Sequence, residues 1–275
     1  MTPSEFTDLP ANATRGALSI EYQWIGVERA DAPLAVFLHE GLGSIAMWKD
    51  WPQALCEQLG MRGLVWSRPG YGRSTPRPHD VKWPVDYLSH QARDVLPALL
   101  DALGVSAPQR ERMWLIGHSD GGSIALLYAA AFPQALAGAV VVAPHVFVED
   151  ISVEGIAETK LAYETTALRD RLARYHDDVD SAFYGWSDIW LDPAFRAWNI
   201  VDQIRTIRAP LLAVQALDDH YGTMAQIETI GEAVPHARVH ALAEGGHSPH
   251  RDAEQALNDV IAQFVLDERD HAIPA

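Results

Sequence analysis

The stretch MWLIGHSDGGSIALLYAAAFP, residues 113–133, joins a strand pattern, a Gly-x-Ser-x-Gly turn and a helical pattern in direct succession. Its first five residues are an apolar run that predicts a β-strand, and the part from 121 to 132 has the periodicity of a helix. Ser119 lies between the two, the arrangement typical of a nucleophile elbow. Glycine at positions 117 and 121 lets the chain turn sharply without Cβ clashes. The stretch therefore predicts Ser119 as a nucleophile.

Outward from this stretch, short apolar runs alternate with helical patterns. Several runs, such as LAVFL at 34–38, are unbroken, as in strands covered on both faces. The predicted strands are Leu18–Val27, Leu34–His39, Gly63–Ser67, Met113–Gly117, Ala139–Ala143, Leu211–Ala216 and Val239–Leu242. The predicted helices are Val85–Leu103, Gly121–Phe132, Thr223–Ala233 and Ala253–Leu266. This alternation predicts an α/β fold with a mostly parallel sheet flanked by helices.

Residues 144–208 interrupt the alternation with helical patterns and no strand. A structureless loop of that length would be unusual in a compact domain, so we expect a helical cap inserted over the sheet. The chain is thus predicted to consist of a core, residues 1–143 and 209–275, and a cap, residues 144–208. The cap is rich in aromatic residues, of which a minority are expected to face a ligand cleft.

The chain of 275 residues has 37 acidic and 21 basic residues and a formal net charge of −16. This charge argues against nucleic acid and membrane surfaces as partners, and at long range it disfavours highly anionic substrates. No signal peptide pattern and no apolar stretch near the roughly 20 residues of a membrane span is found, so a cytoplasmic protein is expected. The single cysteine, Cys56, excludes an internal disulfide and lies in a helical pattern that favours a packing role.

A serine hydroxyl is a poor nucleophile without a base, and His247 is the best placed of the 12 histidines. It follows two glycines in a loop between the last predicted strand and the last predicted helix. The base in turn needs a carboxylate that orients it. Asp218 and Asp219 both follow the predicted strand Leu211–Ala216 at its carboxyl end, where ligand chemistry collects in open α/β sheets. Spacing alone leaves both acids as candidates.

The order of serine, acid and histidine, with the elbow and the cap, resembles the α/β-hydrolase superfamily over nearly the whole chain. HEGLGS at 39–44 is similar to that family's His-Gly oxyanion loop, and SRPGYGRS at 67–74 to its next strand-end turn. The acid motif of the family runs Gly-x-x-Asp. Since Ala216 stands at the glycine position, the resemblance favours Asp219 over Asp218.

The resemblance implies a catalytic triad of Ser119, His247 and Asp219. It also implies that the backbone N–H groups of Gly41 and Asp120 form the oxyanion hole, with Leu42 as an alternative to Gly41. Glu40 and Ala216 depart from the family pattern, and neither departure removes a catalytic group.

Three groups of charged or polar side chains have simpler interpretations. Glu40 is expected to be a buried, hydrogen-bonded anchor of its loop; if it faces the site instead, its carboxyl would disfavour anionic substrates. The side chain of Asp120 needs no role beyond that of an acid in the first turn of a helix. His176 and the acids that follow it up to Asp180 are predicted to form a solvated turn rather than a metal site. No metal or nucleotide motif occurs, so no cofactor is expected.

The resulting hypothesis is a cofactor-free serine hydrolase of small carboxylic esters that works through an acyl-enzyme. The alternatives are a carbon–carbon bond hydrolase of ring-cleavage products, a thioesterase, and a ligand receptor that has kept the fold without turnover. Serine at position 119 argues against dehalogenases and epoxide hydrolases of this fold, which use aspartate there. A small molecule is the expected partner, and the sequence carries no signal for the oligomeric state.

Overall fold

The computed structural model describes residues 3–13, 15–29 and 31–271. Within them, eight strands form one sheet in the order β1-β2-β4-β3-β5-β6-β7-β8. The strands are β1 (Glu5–Leu9), β2 (Leu18–Gly26), β3 (Leu34–Leu38), β4 (Arg62–Trp66), β5 (Trp114–His118), β6 (Gly138–Val142), β7 (Leu211–Ala216) and β8 (Arg238–Leu242). Strands β3 to β8 run parallel, whereas β2 pairs antiparallel with β1 and β4. The predicted α/β-hydrolase fold is confirmed.

Helices cover both faces of the sheet. They are α1 (Ile45–Trp48), α2 (Trp51–Leu59), α3 (Tyr87–His90), α4 (Leu96–Ala102), α5 (Ala107–Glu111), α6 (Asp120–Ala131), α7 (Asp150–Thr165), α8 (Leu168–Leu172), α9 (Val179–Trp190), α10 (Val201–Ile204), α11 (Ala225–Ala233), α12 (Pro249–Asp252) and α13 (Glu254–His271). A π-helical turn, Gln91–Val95, joins α3 to α4, and a 3₁₀ turn, Pro193–Ala197, follows α9. None of the helices in the described part of the chain has the length and hydropathy to cross a membrane.

The unbroken apolar runs form the central strands of the sheet, and every residue of β3, β5, β6 and β7 is buried. One apolar layer holds α3, α4, α6 and α11, and the other holds α1, α2 and α13. Cys56 lies in the second layer, where burial raises the pKa of its thiol to about 12. The sequence analysis missed β1, an edge strand in which only Leu9 is buried, because so exposed a strand needs no hydrophobic pattern.

Residues 144–208, which we call the cap segment, contain α7 to α10 and lie between β6 and β7 in the chain. His176 connects this segment to the core: its Nδ1 accepts from Gly72 N–H at 2.9 Å, and its Nε2 donates to the Leu42 carbonyl at 3.0 Å. The prediction of a solvated turn is wrong for His176, which is buried because both ring nitrogens bond the core.

The turn from β5 into α6 is packed against the end of β3, the neighbouring strand in the sheet. A Cβ atom at Gly121 would lie 1.9 Å from the carbonyl oxygen of Leu38, the last residue of β3. A Cβ atom at Gly117 would lie 2.2 Å from the carbonyl oxygen of Gly121. Both contacts involve backbone atoms, which cannot move aside as a side chain can, so glycine is required at both positions.

We expect Gly121→Ala to lower the free energy of unfolding by about 1–3 kcal/mol, the usual cost of overpacking a close contact. Gly16→Ala is the matched control, because a Cβ there meets nothing within 4 Å. Urea denaturation followed by circular dichroism measures both. Equal stability of the two variants would contradict the proposed backbone clash.

Candidate active site

Ser119 lies at the carboxyl end of β5, where α6 begins. Its backbone has φ 52° and ψ −119°, outside the regions that residues with side chains normally adopt. The N–H of Ser119 donates to the carbonyl of Val142 on β6 at 2.9 Å, which holds this conformation. The turn directs the hydroxyl toward a loop that follows β8.

His247 and Asp219 complete a hydrogen-bonded chain with Ser119. The Ser119 Oγ and His247 Nε2 are 2.9 Å apart. On the other side of the ring, His247 Nδ1 lies 3.0 Å from each carboxylate oxygen of Asp219. The structure thus brings together the three residues that the resemblance implied, although they are far apart in the sequence.

Asp219, and not Asp218, is the acid that reaches the imidazole. Asp219 is buried, and its Oδ1 also accepts the N–H of Tyr221 at 2.8 Å. Asp218 is exposed and accepts the N–H of Gly246 at 2.8 Å, one residue before His247. Asp218 therefore stabilises the loop that carries the histidine without contacting its ring.

The electrostatics keep the histidine neutral and the acid charged. Burial lowers the pKa of His247 below its ordinary value, although the hydrogen bond and charge of Asp219 partly oppose this. Burial alone would raise the pKa of Asp219, but the bond to His247, its charge and the Tyr221 N–H lower it overall. At neutral pH His247 Nε2 can therefore accept a proton while Asp219 holds Nδ1–H.

The N–H groups of Asp120 and Gly41 were predicted as oxyanion donors. Asp120 is the first residue of α6, so its N–H has no partner within the helix. The peptide group that carries the Gly41 N–H is held at its other end, where the Glu40 carbonyl accepts Arg68 Nη2 at 2.8 Å and His39 Nδ1 at 2.7 Å. Both Ser119 and Gly41 line one cavity.

The side chain of Asp120 has a larger role than that of a first-turn acid. It is 1% exposed and accepts Tyr87 OH at 2.7 Å and Trp190 Nε1 at 3.2 Å. Arg68 Nη2 lies 3.5 Å from its Oδ2 in a fully buried ion pair. Burial raises the pKa of Tyr87, which therefore remains a hydrogen-bond donor. The sequence analysis did not connect Arg68, Tyr87 and Trp190 with Asp120, since each comes from a different part of the chain.

His118 is bonded to the loop that carries His247, and Glu40 lies beside His118. His118 Nε2 donates to the His247 carbonyl at 2.6 Å, and Glu40 Oε2 lies 3.5 Å from His118 Nδ1. Burial would raise the pKa of Glu40, but the interactions with His118 lower it overall, so the carboxylate is charged. Glu40 is less buried than expected, since its side chain is 21% exposed, and it lines the cavity.

The cavity has a volume of about 200 Å³ and lies between the core and the cap segment. Its walls are largely apolar and aromatic; the cap segment contributes Ile156, Trp186 and Trp190. Trp186 packs so close to Gly41 that a Cβ at that position would lie 2.2 Å from the indole. Among the described residues, no cluster of three or more His, Cys, Asp or Glu side chains could hold a metal ion.

Comparison with known proteins places this chain among hydrolases. Residues 35–260 match the sequence profile of the Alpha/beta hydrolase family. A protein of Pseudomonas savastanoi pv. phaseolicola with the provisional name carbamate hydrolase RutD is 28% identical, covering 80% of this chain and 89% of the relative. Serine hydrolase BPHL of Homo sapiens is 26% identical, covering 74% and 68%. A carboxylesterase structure from Nitrososphaera gargenis superposes with a TM-score of 0.77 at 18% identity, covering 98% of this chain and 100% of the other.

We expect Asp219→Asn to lower the pKa of His247 further, because the variant loses the anion that now raises it. Asp218→Asn is the matched control and is expected to leave that pKa unchanged, since Asp218 does not touch the ring. Titration of the ¹³C-labelled imidazole by NMR measures both variants. If the pKa of His247 fell in Asp218→Asn and not in Asp219→Asn, Asp218 would be the acid that contacts the ring, and the assignment to Asp219 would be wrong.

Proposed function

The chain belongs to the alpha/beta hydrolase family and acts as a hydrolase, and on this premise we propose that it cleaves small carboxylic esters by serine catalysis. The observation that carries the proposal is the 2.9 Å contact between Ser119 Oγ and His247 Nε2, backed by Asp219 at 3.0 Å. A hydroxyl with a neutral imidazole in hydrogen-bond reach is an activated nucleophile. The cavity of about 200 Å³ beside it suits a small substrate.

In the proposed reaction, His247 Nε2 takes the hydroxyl proton while Ser119 Oγ attacks the ester carbonyl carbon. Asp219 holds the ring and stabilises the imidazolium that forms. The imidazolium then protonates the leaving alkoxide, and the alcohol departs from an acyl-Ser119 ester. Water, deprotonated by His247, attacks this ester, so that the carboxylic acid is released and Ser119 regains its proton.

The negative charge that develops on the carbonyl oxygen is proposed to be received by the N–H groups of Asp120 and Gly41. Donors of this kind lower the barrier by about 3–4 kcal/mol each. Arg68 acts as a positioning residue for both, because it donates to the Glu40 carbonyl and pairs with the Asp120 carboxylate. The proposal therefore assigns the core, residues 1–143 and 209–275, the chemistry, and the cap, residues 144–208, part of the substrate pocket.

Carbamates are a second candidate substrate class, favoured by the name of the 28% identical relative. The same nucleophile attacks the carbonyl carbon in both classes, so the geometry alone fits either. Comparing kcat/KM for 4-nitrophenyl acetate and 4-nitrophenyl N-methylcarbamate distinguishes them. A higher value for the acetate supports the ester assignment, and a higher value for the carbamate replaces it.

We expect Ser119→Ala to lower kcat for 4-nitrophenyl acetate by about four to six powers of ten, because the nucleophile is lost. The melting temperature should stay near that of the wild type. Asp219→Asn is expected to cost roughly 10⁴ in kcat, and the matched control Asp218→Asn far less. Ser119→Ala with more than a tenth of wild-type turnover would refute the nucleophile assignment, and absence of wild-type turnover would favour a receptor.

The rate should depend on pH through His247, which must be neutral to accept the proton. Since burial lowers its pKa, kcat/KM is expected to stay high as pH falls and to decline only below about 6.5, the ordinary imidazole value. A profile from pH 4 to 9 in buffers of constant ionic strength tests this. An acid limb centred above pH 7 would be incompatible with the buried histidine as the base.

A further inference from the structure

Arg251 is a cation without a counter-charge at the edge of the candidate site. It lies on α12, shortly after His247, and lines the same cavity as Ser119. Its side chain is exposed, and in the described part of the chain no carboxylate oxygen lies within 4.0 Å of its guanidinium. The N–H groups of Arg251 are therefore free to bind what enters the cavity.

Two further cations, Lys49 and Arg174, lie at Tyr175 of the cap segment and not in the cavity itself. Lys49 Nζ donates to Tyr175 OH at 3.0 Å and lies 4.4 Å from the centre of its ring. This hydrogen bond and the Lys49 charge lower the pKa of Tyr175, and the charges of Arg174 and Arg251 lower it further. One phenol thus lies within the field of all three cations. Lys49 and Arg174 form no ion pair with any described residue.

The acids of the cavity, in contrast, already have partners. Of the two acids that line the cavity, Asp120 is bonded by Tyr87 and Trp190, and Glu40 Oε2 lies 3.5 Å from His118 Nδ1. The cation cluster, Lys49, Arg174 and Arg251, thus brings three positive charges near one phenol in a chain of net charge −16. It departs from the expectation, based on net charge, that an anionic substrate is disfavoured.

We infer that the substrate is a small ester that also carries a carboxylate, and that Arg251 binds this carboxylate while the ester carbonyl lies at Ser119. The inference rests on the proposed ester hydrolysis and adds the charge of the substrate. A planar guanidinium suits a carboxylate because two parallel N–H donors match its two oxygens. Lys49 and Arg174 attract the same anion at longer range, which favours its approach to the cavity.

The test uses two pairs of esters that differ in charge and little in shape. Mono-4-nitrophenyl glutarate and 4-nitrophenyl 5-oxohexanoate place the carboxylate, or its neutral replacement, on the acyl side. 3-Carboxyphenyl acetate and 3-acetylphenyl acetate place it on the alcohol side. The quantity measured is the ratio of kcat/KM within each pair, after subtraction of spontaneous hydrolysis.

The variants are Arg251→Gln, Arg251→Lys and the matched control Arg208→Gln. Arg208 is exposed and precedes β7, at the end of the sheet opposite Ser119. In the wild type at low salt, at least one anionic ester should be preferred by about tenfold or more. Arg251→Gln should remove most of that preference while kcat/KM for the neutral esters changes less than about twofold. Arg251→Lys should retain part of it, and Arg208→Gln all of it.

Raising the salt to 0.5 M should reduce the wild-type preference, since exposed charges are screened. A wild type that hydrolyses the esters with no charge preference in either pair would overturn the inference and leave ester hydrolysis standing. The same holds if Arg251→Gln lowers the anionic and neutral rates equally. Absence of turnover with all four esters would overturn the proposed function and this inference together.

Discussion

The backbone of Ser119 adopts a conformation that costs on the order of 1–3 kcal/mol and persists only where its surroundings permit no other. Three neighbours impose it: the Val142 carbonyl accepts the Ser119 N–H, α6 starts at the next residue, and Gly121 packs on the Leu38 carbonyl. The spacing of β3, β5 and β6 and the position of α6 are therefore fixed by the same turn that presents the hydroxyl. Strain at one residue and close packing of the sheet are two aspects of one arrangement.

A second constraint lies directly behind this turn, at the carboxylate of Asp120. A buried anion is unfavourable unless it is paired and hydrogen-bonded, and here Arg68, Tyr87 and Trp190 supply those partners. Arg68 also holds the peptide group of Gly41 through the Glu40 carbonyl. The two proposed oxyanion donors, which are distant in sequence, thus share one buried cation as their support.

The central strands could be predicted from the sequence because they are buried on both faces and keep unbroken apolar runs, whereas the exposed edge strand β1 could not. Ser119 and His247 could be selected because glycines mark the sharp turns around them. Local pattern could not distinguish Asp218 from Asp219, since both lie in the same turn. They differ in a contact distant in sequence, because Asp218 accepts the N–H of Gly246 and does not contact the imidazole. Arg68 belongs to the SRPGYGRS turn that the sequence analysis singled out, but its role and that of Arg251 could not be recognised, because both depend on which distant residues the fold brings beside them.

The bond from Trp190 to Asp120 has a consequence for how proteins of this shape can diversify. All groups of the proposed triad belong to the core, so recombination that replaces the cap segment would seem a direct route to a new selectivity. Here, however, the indole N–H of the cap segment is one of the donors to a carboxylate beside the nucleophile. A transplanted cap without an equivalent donor would leave that oxygen without this partner and disturb the elbow, so exchange of the module is restricted to grafts that carry the donor with them.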